Sequence, residues 1–360
     1  MVFFIIFVVF AVSGWSVAIS SNSVIGQSFY IPTYDLQGDT LRGGYQLFEH
    51  IPDKCIGVKE EAVIDSFSSY FKDTATFYKS LSTDTSLDVS VNSLGATLDA
   101  TTKSVSGNSR DVSGLTYTHL SKSKNEYLEQ SCLSKMNLER HIASSFENLP
   151  LSIDRPSMPS GWFAYETFLK VHGSHYVTQA SYGSSLYQHA FSESSASYTK
   201  QDFSIKACVA FAGTTGATTG QVNVCQGVTS EQKSSASSLD IKTRFVARGG
   251  SSETRTQLYK DRSDETIARF LGEAQESDDP ISYKFTPIWQ LLSYKYQNTE
   301  QFPKVKNLRS YYLGFLGYPC YNSKIEKTNP TFMIQASPKS TVFNCVLPNP
   351  GSKHRMSNVQ

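Results

Sequence analysis

Three histidines lie close together in the sequence and are the first candidates for chemistry. His172 and His175 are three residues apart, and His189 follows later. Imidazoles are common zinc ligands, but no glutamate accompanies this pair at the spacing of helical zinc proteases. Gly173 also interrupts any regular helix between the two histidines. The pattern favours structural histidines, and the sequence predicts no metal and no cofactor.

Ser174 and His175 are adjacent and suggest a second kind of chemistry, nucleophilic hydrolysis. The glycines of a nucleophile elbow are missing around this serine, and no acid is evident as the third member of a triad. The glycine pairs elsewhere lack the Lys-Ser/Thr pattern of a phosphate-binding loop. We therefore expect no catalytic residues and a protein that is not an enzyme.

The first 18 residues, MVFFIIFVVFAVSGWSVA, predict a cleaved signal peptide. The apolar run 2–12 is shorter than the roughly 20 residues that span a bilayer core. Ser16 and Ala18 supply small residues where signal peptidase reads. An N-terminal membrane anchor is the alternative. We expect a secreted protein, with storage in secretory granules as one option.

The overall charge excludes one class of partner. The chain has 33 basic and 32 acidic residues, which nearly cancel. A chain without a general basic field has no electrostatic basis for binding nucleic acid. We therefore expect no nucleic-acid partner, and any attraction to a membrane must come from local patches or apolar area.

Six cysteines follow the predicted signal peptide, and an even number in a secreted chain suggests three disulfides. They are Cys55, Cys132, Cys208, Cys225, Cys320 and Cys345. The sequence alone allows about 15 pairings. The simplest pairing follows the order of the chain, first with second, third with fourth and fifth with sixth. The last bond would close a short C-terminal tail.

Apolar spacing predicts the secondary structure along most of the chain. Spacings of three and four predict helices over 60–82, 123–149, 161–171, 253–275 and 302–316. Residues 177–188 read as a strand, and Tyr283–Tyr296 as a strand that turns into a helix.

Two serine- and threonine-rich regions, 84–125 and 191–245, show strand-like alternation instead. In the first, Leu87, Val89 and Val91 alternate, and the pattern changes register at Asn92-Ser93 before Leu94, Ala96 and Leu98. In the second, two stretches alternate. The apolar positions are Phe203, Ile205, Ala207, Val209 and Phe211, and then Leu239, Ile241, Phe245 and Ala247.

Disordered linkers seldom alternate in this way. Lys206 falls on the opposite face of the first stretch, and Asp240, Lys242 and Arg244 fall on the opposite face of the second. A membrane barrel strand needs only about 9–11 residues, with apolar side chains toward lipid and polar side chains toward the lumen. The pattern is compatible with lipid-facing strands. A core strand of an ordinary sheet is the alternative.

A motif between these regions carries a family resemblance. Tyr165, six residues, His172-Gly173-Ser174-His175-Tyr176, six residues and Gly183 resemble the signature of the membrane attack complex/perforin (MACPF) family. His172 replaces an aromatic residue, Ser174 a threonine and Ser184 a second glycine. The Gly249-Gly250 pair and the run from Asp279 to Tyr312 also resemble the family. The resemblance covers about residues 30–318.

The resemblance implies an α+β fold with a bent, twisted four-stranded antiparallel sheet and two flanking helical clusters. These clusters, at 84–125 and 191–245, would refold into membrane-spanning hairpins. The implied organisation is a signal peptide at 1–18, a MACPF-like domain at 22–318 and a short tail at 319–360. Gly249-Gly250 is read either as a hinge for sheet opening or as a plain turn.

The expected function is therefore that of a secreted protein that binds a target lipid membrane, self-associates into a ring or arc and inserts a large β-barrel. A single subunit cannot close such a barrel, and backbone groups in lipid must all be paired. The alternative is a non-lytic secreted protein of the same fold that acts in binding, adhesion or defence.

Overall fold

The computed structural model describes residues 23–31, 34–35, 44–72, 77, 112–154, 159–193, 197–212 and 223–312, and the backbone of 334–336 and 343–345. Several predictions fall wholly or partly outside these residues. They are the signal peptide, the part of the first inserting region before 112, residues 194–196 and 213–222 of the second, most of the tail 319–360 and the predicted bond between Cys320 and Cys345.

The strands form one large antiparallel sheet and a short separate hairpin. The sheet strands are β1 (Gln27–Phe29), β2 (Tyr45–Gln46), β3 (Ile56–Phe71), β4 (Val112–Leu128), β5 (His175–Glu193), β6 (Lys242–Gly249) and β7 (Pro280–Pro287). β8 (Ile334–Ala336) pairs with β9 (Phe343–Cys345). The α+β prediction is confirmed, but the sheet has seven strands where four were predicted.

The difference arises because β5 is long enough to pair with different strands at its two ends. Around Leu186 a row across the sheet runs β3, β4, β5 and β6. Around Tyr176 the row runs β2, β1, β5 and β7. A row is therefore at most four strands wide, and β5 belongs to both sets.

Two helix predictions before β5 are wrong in part. Residues 60–82 were predicted as a helix, but β3 occupies them as far as Phe71. The helical spacing misled because apolar residues lie on both faces of this edge strand, including Ile64, which is 76% exposed. The predicted helix 123–149 begins as strand β4 and becomes helical only at Arg140.

Eight α-helices lie within the described residues. They are α1 (Arg140–Glu147), α2 (Phe163–His172), α3 (Lys200–Ala212), α4 (Ser230–Ser235), α5 (Ser252–Lys260), α6 (Asp264–Gly272), α7 (Ile288–Tyr296) and α8 (Phe302–Tyr311). The predicted helix at 253–275 is two helices, because Ser263 caps α6 with its side chain. The strand followed by a helix at 283–296 is confirmed as β7 and α7.

The hydrophobic core is divided into two clusters along β5. The first cluster packs α1, α2, α7 and α8 around one end of the sheet, with Trp162 and Tyr165 fully buried in it. The second cluster packs α3, α5 and α6 against β4, β5 and β6, with Phe203 and Phe270 fully buried. The second cluster therefore lies at one end of the sheet, whereas the first also reaches that end through Phe71, Phe77, Val112 and Phe191.

Two disulfides confirm two of the predicted pairings. Cys55–Cys132 joins the start of β3 to the chain just after β4, and Cys208–Cys225 joins α3 to the 3-10 helix Asn223–Cys225. The first bond lies beside the first core cluster and the second beside the second.

Candidate functional site: the helix-to-strand joint and the bent sheet

The signature motif lies where α2 ends and β5 begins, a segment called here the joint (residues 165–176). Gly173 separates the two elements with a φ of +85° and a ψ of 156°, a region that is almost reserved for glycine. A Cβ at this position would lie 2.7 Å from Ser28 Cβ and 2.9 Å from the backbone nitrogen of Phe29. The joint therefore requires glycine, because β1 passes directly against it.

Hydrogen bonds fasten β1 to the joint. Ser28 Oγ donates to the carbonyl of His172 at 2.7 Å. The backbone N–H of Ser174 donates to the Phe29 carbonyl at 2.9 Å, and the Ile31 N–H donates to Ser174 Oγ at 3.1 Å. Ser174 Oγ also donates to the Phe29 carbonyl at 3.3 Å, so this hydroxyl both accepts a hydrogen bond from the chain around β1 and donates one to it.

His175 is completely buried and stays neutral. Its ring lies edge-on to Trp289, with ring centres 5.7 Å apart, and to Tyr312 at 5.2 Å. Its Nδ1 lies 3.0 Å from Ser174 Oγ. Burial lowers its pKa to about 3 because the charged form would lose its hydration. This histidine therefore acts as an aromatic packing residue.

The remaining signature residues also connect elements. Tyr165 donates its hydroxyl to the Pro150 carbonyl at 2.5 Å and accepts from Asn307 Nδ2 at 3.0 Å. His172 packs against Phe168, with ring centres 4.9 Å apart, and burial together with His141 lowers its pKa to about 4. Tyr176 is buried in the first core cluster.

The joint is therefore structural in character. His189, the third candidate histidine, lies far along β5 and is bonded to Thr116 Oγ1 at 2.9 Å, so the structure does not bring the three histidines together. No group of three or more His, Cys, Asp or Glu side chains in the described residues is arranged to hold a metal ion. The signature side chains within the joint, Tyr165, His172, Ser174, His175 and Tyr176, are buried, so they present no surface to a lipid or substrate.

A row of irregularities crosses the sheet next to Gly183. The pairing slips between Glu60 and Val63 in β3 and between Lys122 and Lys124 in β4. Lys122 pairs with both Val63 and Gly183 in the sheet register. Bulges kink and twist the strands that carry them, so this row marks the bend of the sheet.

Two glycines allow the backbones to approach closely at the bend. Gly183 has a φ of +143°, and a Cβ there would lie 2.0 Å from the Ser121 carbonyl oxygen. Gly249, which pairs with Ser184, has a φ of +74°, and its Cβ would lie 1.7 Å from the Gly183 oxygen. The last residue of the signature and the predicted hinge pair therefore meet at the bend, a relation that their separation in sequence did not reveal.

Gly249 and Gly250 end β6 and lead into α5. Arg255 Nη1 donates to the Gly249 carbonyl at 2.9 Å and pairs with Asp279 at 3.0 Å. The Gly250 N–H donates to Ser277 Oγ at 3.2 Å. In this conformation Gly249 and Gly250 form a tight, hydrogen-bonded turn at the bend. Their role as a hinge stays a prediction.

The alternating stretch 203–211 is helical in this structure. It forms most of α3, so the alternative of an ordinary core strand is wrong there. Phe203, Ala207 and Phe211 face the second core cluster. Their spacing of four is close to one helical turn and is also an even number. These three residues therefore lie on one common face whether the segment is a helix or a strand.

The second alternating stretch divides between a loop and a strand. Lys242–Gly249 is β6, paired with β5, so the core-strand alternative is confirmed for this part in the present conformation. Ile241 is buried in the second core cluster, and Leu239 and Phe245 pack against it.

Polar contacts fix α3 on the sheet. Lys206 Nζ donates to the carbonyls of Ala236 and Leu239 at 3.1 and 2.8 Å. Arg262 Nη1 donates to the Ala210 carbonyl at 2.6 Å. These bonds hold the helix from both sides.

Within the part of the chain that the structure describes, none of the helices has the length and apolar character that a membrane span needs.

Comparison with known sequences gives a family match over most of the chain. The family model of the MAC/Perforin domain matches residues 38–319. DELTA-thalatoxin-Avl2a of Actineria villosa is 30% identical over 347 residues, which is 93% of this chain and 70% of the relative. DELTA-alicitoxin-Pse2b of Phyllodiscus semoni is 31% identical over 313 residues, 86% of this chain and 64% of the relative.

Solved structures show a similar fold. GNIP1Aa of Chromobacterium piscinae has a TM-score of 0.52 at 14% identity, with 81% of this chain and 55% of that chain covered. A MAC/Perforin-domain protein of Bacteroides thetaiotaomicron has a TM-score of 0.50 at 13% identity, covering 83% and 61%. This chain thus spans little more than half the length of these two proteins.

The joint generates a first prediction. Gly173→Ala should lower the free energy of unfolding by at least about 2 kcal/mol, because the backbone is in a glycine-only region and the added Cβ meets β1. Gly272→Ala is the matched control, since that glycine is in helical conformation and an added Cβ meets nothing within 4 Å. Denaturant unfolding measures both, and equal stability of the two variants would contradict the requirement for glycine.

The buried histidines generate a second prediction. Burial lowers the pKa of His119 to about 4 and of His189 to about 3, and the charges of Arg244 and Arg248 add to the effect at His189. The unfolded chain takes up these protons near pH 6.5. Below that pH the unfolded state therefore binds more protons, and the free energy of unfolding should fall by about 2 kcal/mol per histidine between pH 7 and pH 5.

Denaturant titrations at pH 7 and pH 5 measure this loss. His189→Gln should reduce the difference between the two pH values by about 2 kcal/mol. Val246→Ala, a buried neighbour in β6, is the control and should lower stability equally at both pH values. A His189→Gln protein with the wild-type pH dependence would refute the interpretation.

Proposed function

Because this chain belongs to the MAC/Perforin family, we propose that it is a secreted pore-forming toxin that binds a target membrane, oligomerises and inserts β-hairpins into a shared barrel. Its similarity to two proteins named as toxins supports a cytolytic role. This chain spans 70% and 64% of the lengths of these two relatives, so a toxin activity of this chain is a proposal.

The observation that carries the proposal is a single row across the sheet. Phe71 pairs with Gly114, Gly114 with Phe191, and Phe191 with Lys242. The pairs β3–β4 and β5–β6 therefore stop at the same level, and the chain continues from there into the segments 72–111 and 194–241. Both strand pairs can continue in the same direction if these segments extend.

The sequence of the first segment fits such an extension. Apart from Lys72 and Phe77, this segment lies outside the described residues, so only its sequence and the β3–β4 register enter here. Leu87 is sixteen residues after Phe71, and Leu98 is sixteen residues before Gly114, so a continued register places these leucines opposite each other. The same register pairs Val89 with Ala96.

The apparent change of register at Asn92-Ser93 then has a simple explanation. Val91 is twenty residues after Phe71, and Leu94 is twenty residues before Gly114. Asn92 and Ser93 would form the two-residue turn of the hairpin, for which asparagine is well suited. The alternation on either side belongs to two strands with one common apolar face.

Self-association follows from the edge of the sheet. Among the described residues, β3 pairs only with β4. A long exposed edge strand is a template for pairing with another chain, and Ile64 adds an apolar side chain that is 76% exposed. In lipid every backbone group must be paired, so the edges of neighbouring subunits must meet in a closed barrel.

Two adjacent residues of α3 provide a sharp test. Val209 and Ala210 are both half-buried in the helical form, so a lysine at either position has a similar cost there. In an extended strand they face opposite sides. Val209→Lys should reduce dye release from lipid vesicles at least about tenfold, because lysine at the bilayer midplane costs about 2–4 kcal/mol per subunit.

Ala210→Lys is the control and should release dye at nearly the wild-type rate, since its side chain would face the water-filled lumen. Thermal unfolding of the soluble proteins checks that both variants fold equally well. Equal loss of release in both variants would refute the assigned faces. Absence of release and of ring-shaped particles by wild-type protein, across vesicles with and without sterol and anionic lipid, would refute the pore and favour a non-lytic binding role.

A further inference from the structure

The bond Cys208–Cys225 joins two parts of the segment that would have to unfold from the sheet. We infer that this disulfide is a rung of the inserted hairpin, which stays intact during insertion and fixes the register of the two strands. The inference rests on the proposed pore function and specifies how its second hairpin is paired.

The register of β5 and β6 places the two cysteines opposite each other. These strands pair without a shift from Ser184↔Gly249 to Phe191↔Lys242. Cys208 lies seventeen residues after Phe191, and Cys225 lies seventeen residues before Lys242. A continuous extension of the observed pairing therefore ends with the two cysteines directly across from one another.

The geometry of the bond fits both conformations. In the helical form the two Cα atoms are 4.7 Å apart. Directly paired residues of antiparallel strands have Cα atoms about 4.5 or 5.5 Å apart, within the usual disulfide range of about 4.4–6.8 Å. A slip by one residue would put the cysteines on opposite faces, and a slip by two would make them diagonal neighbours about 7–8 Å apart.

The same register produces one mainly apolar face, whose polar exception in the middle is Gln226 opposite Ala207, and one polar face. It places Val224 opposite Val209 and Val228 opposite Ile205, which extends the predicted lipid face onto the returning strand. Lys206 lies on the other face, on the same side as the two cysteines. The disulfide therefore faces the lumen, where its size does not disturb the contact with lipid.

The register also decides between the two predicted lipid-facing stretches. Leu239, Ile241 and Phe245 fall on the same face as Cys225, because they are an even number of residues away from it. They cannot share the lipid side with Phe203–Phe211 in one regular hairpin. The stretch 203–211 extends over about 27 Å, which matches an apolar band of roughly 25 Å.

The sequence between the cysteines agrees with a hairpin tip. Twenty-five steps beyond Phe191 reach Gly216, and twenty-five steps back from Lys242 reach Ala217. Glycine in the first position of a two-residue loop favours the type II′ turn of β-hairpins. No sulfur bond is made or broken in this scheme, so insertion needs no reductant.

Wild-type protein gives the first test. Dye release from phosphatidylcholine vesicles, prepared with and without sterol and anionic lipid, should be the same with and without prior alkylation of free thiols, and no reductant should be required. Pores extracted in detergent and digested without reductant should yield the Cys208–Cys225 peptide by mass spectrometry. Pores in which both thiols are free, or release that starts only after reduction, would overturn the inference.

Relocated cysteine pairs test the register itself. In a Cys208→Ser/Cys225→Ser background, Ala210→Cys with Asn223→Cys is in register, because the two positions are nineteen residues from Phe191 and Lys242. Ala210→Cys with Gln221→Cys is displaced by two residues on the same face. After insertion under reducing conditions, removal of the reductant and addition of copper phenanthroline should cross-link the first pair at least about five times more than the second.

The outcomes separate the two levels of the proposal. Dye release with equal or reversed cross-linking would overturn the register and leave the pore standing. Absence of dye release from the wild-type protein would refute the pore, and the inference would fall with it. If the serine background does not fold, the disulfide map of wild-type pores still decides whether the bond survives insertion.

Discussion

β5 runs through the middle of the sheet, and its backbone pairing fixes the other strands directly or through one neighbour. β1 and β7 pair with its first half, β6 pairs with its second half, and β4 pairs with both from Gln179 to Glu193. Gly183 lies between the two halves, at the bend. The joint holds the first half by buried hydrogen bonds to β1, while α3 covers the second half. One strand therefore connects an end that the joint fastens to β1 with an end that α3 covers together with α5 and α6.

In the proposed refolding the helix α3 becomes a strand, and its sequence satisfies the periods of both conformations. Phe203, Ala207 and Phe211 point to the sheet when the chain is helical, and they would lie on one face with Ile205 and Val209 when it is extended. The helix satisfies its own backbone hydrogen bonds, whereas the strand needs a partner on each side. A single subunit in water therefore favours the helix, whereas the proposed ring on a membrane would favour the strand.

Much of this arrangement was predictable from particular residues. The signature placed the end of α2 and the start of β5, because glycine and buried rings leave a recognisable pattern at such a joint. Two disulfides followed from the order of the cysteines. β3 was missed because an edge strand exposes one face and one edge, so its apolar residues follow no strict alternation. The row through Phe71, Gly114, Phe191 and Lys242 depends on long-range pairing, which spacing along the chain does not reveal.

The energetic balance of the proposed refolding depends on how little apolar area it exposes. Burying a phenylalanine is worth about 1.5–3 kcal/mol, so moving Phe203 and Phe211 from the sheet into water would oppose the change strongly. Moving them into lipid restores that contribution. The bonds from Lys206 and Arg262 to backbone carbonyls are lost, but strand pairing satisfies the same carbonyls. A cross-strand disulfide would favour the change further, because it limits the conformational entropy that the chain can gain between the two states. The second region could then change its secondary structure without passing through an unconstrained loop, which would explain why a covalent bond is compatible with a segment that has to move.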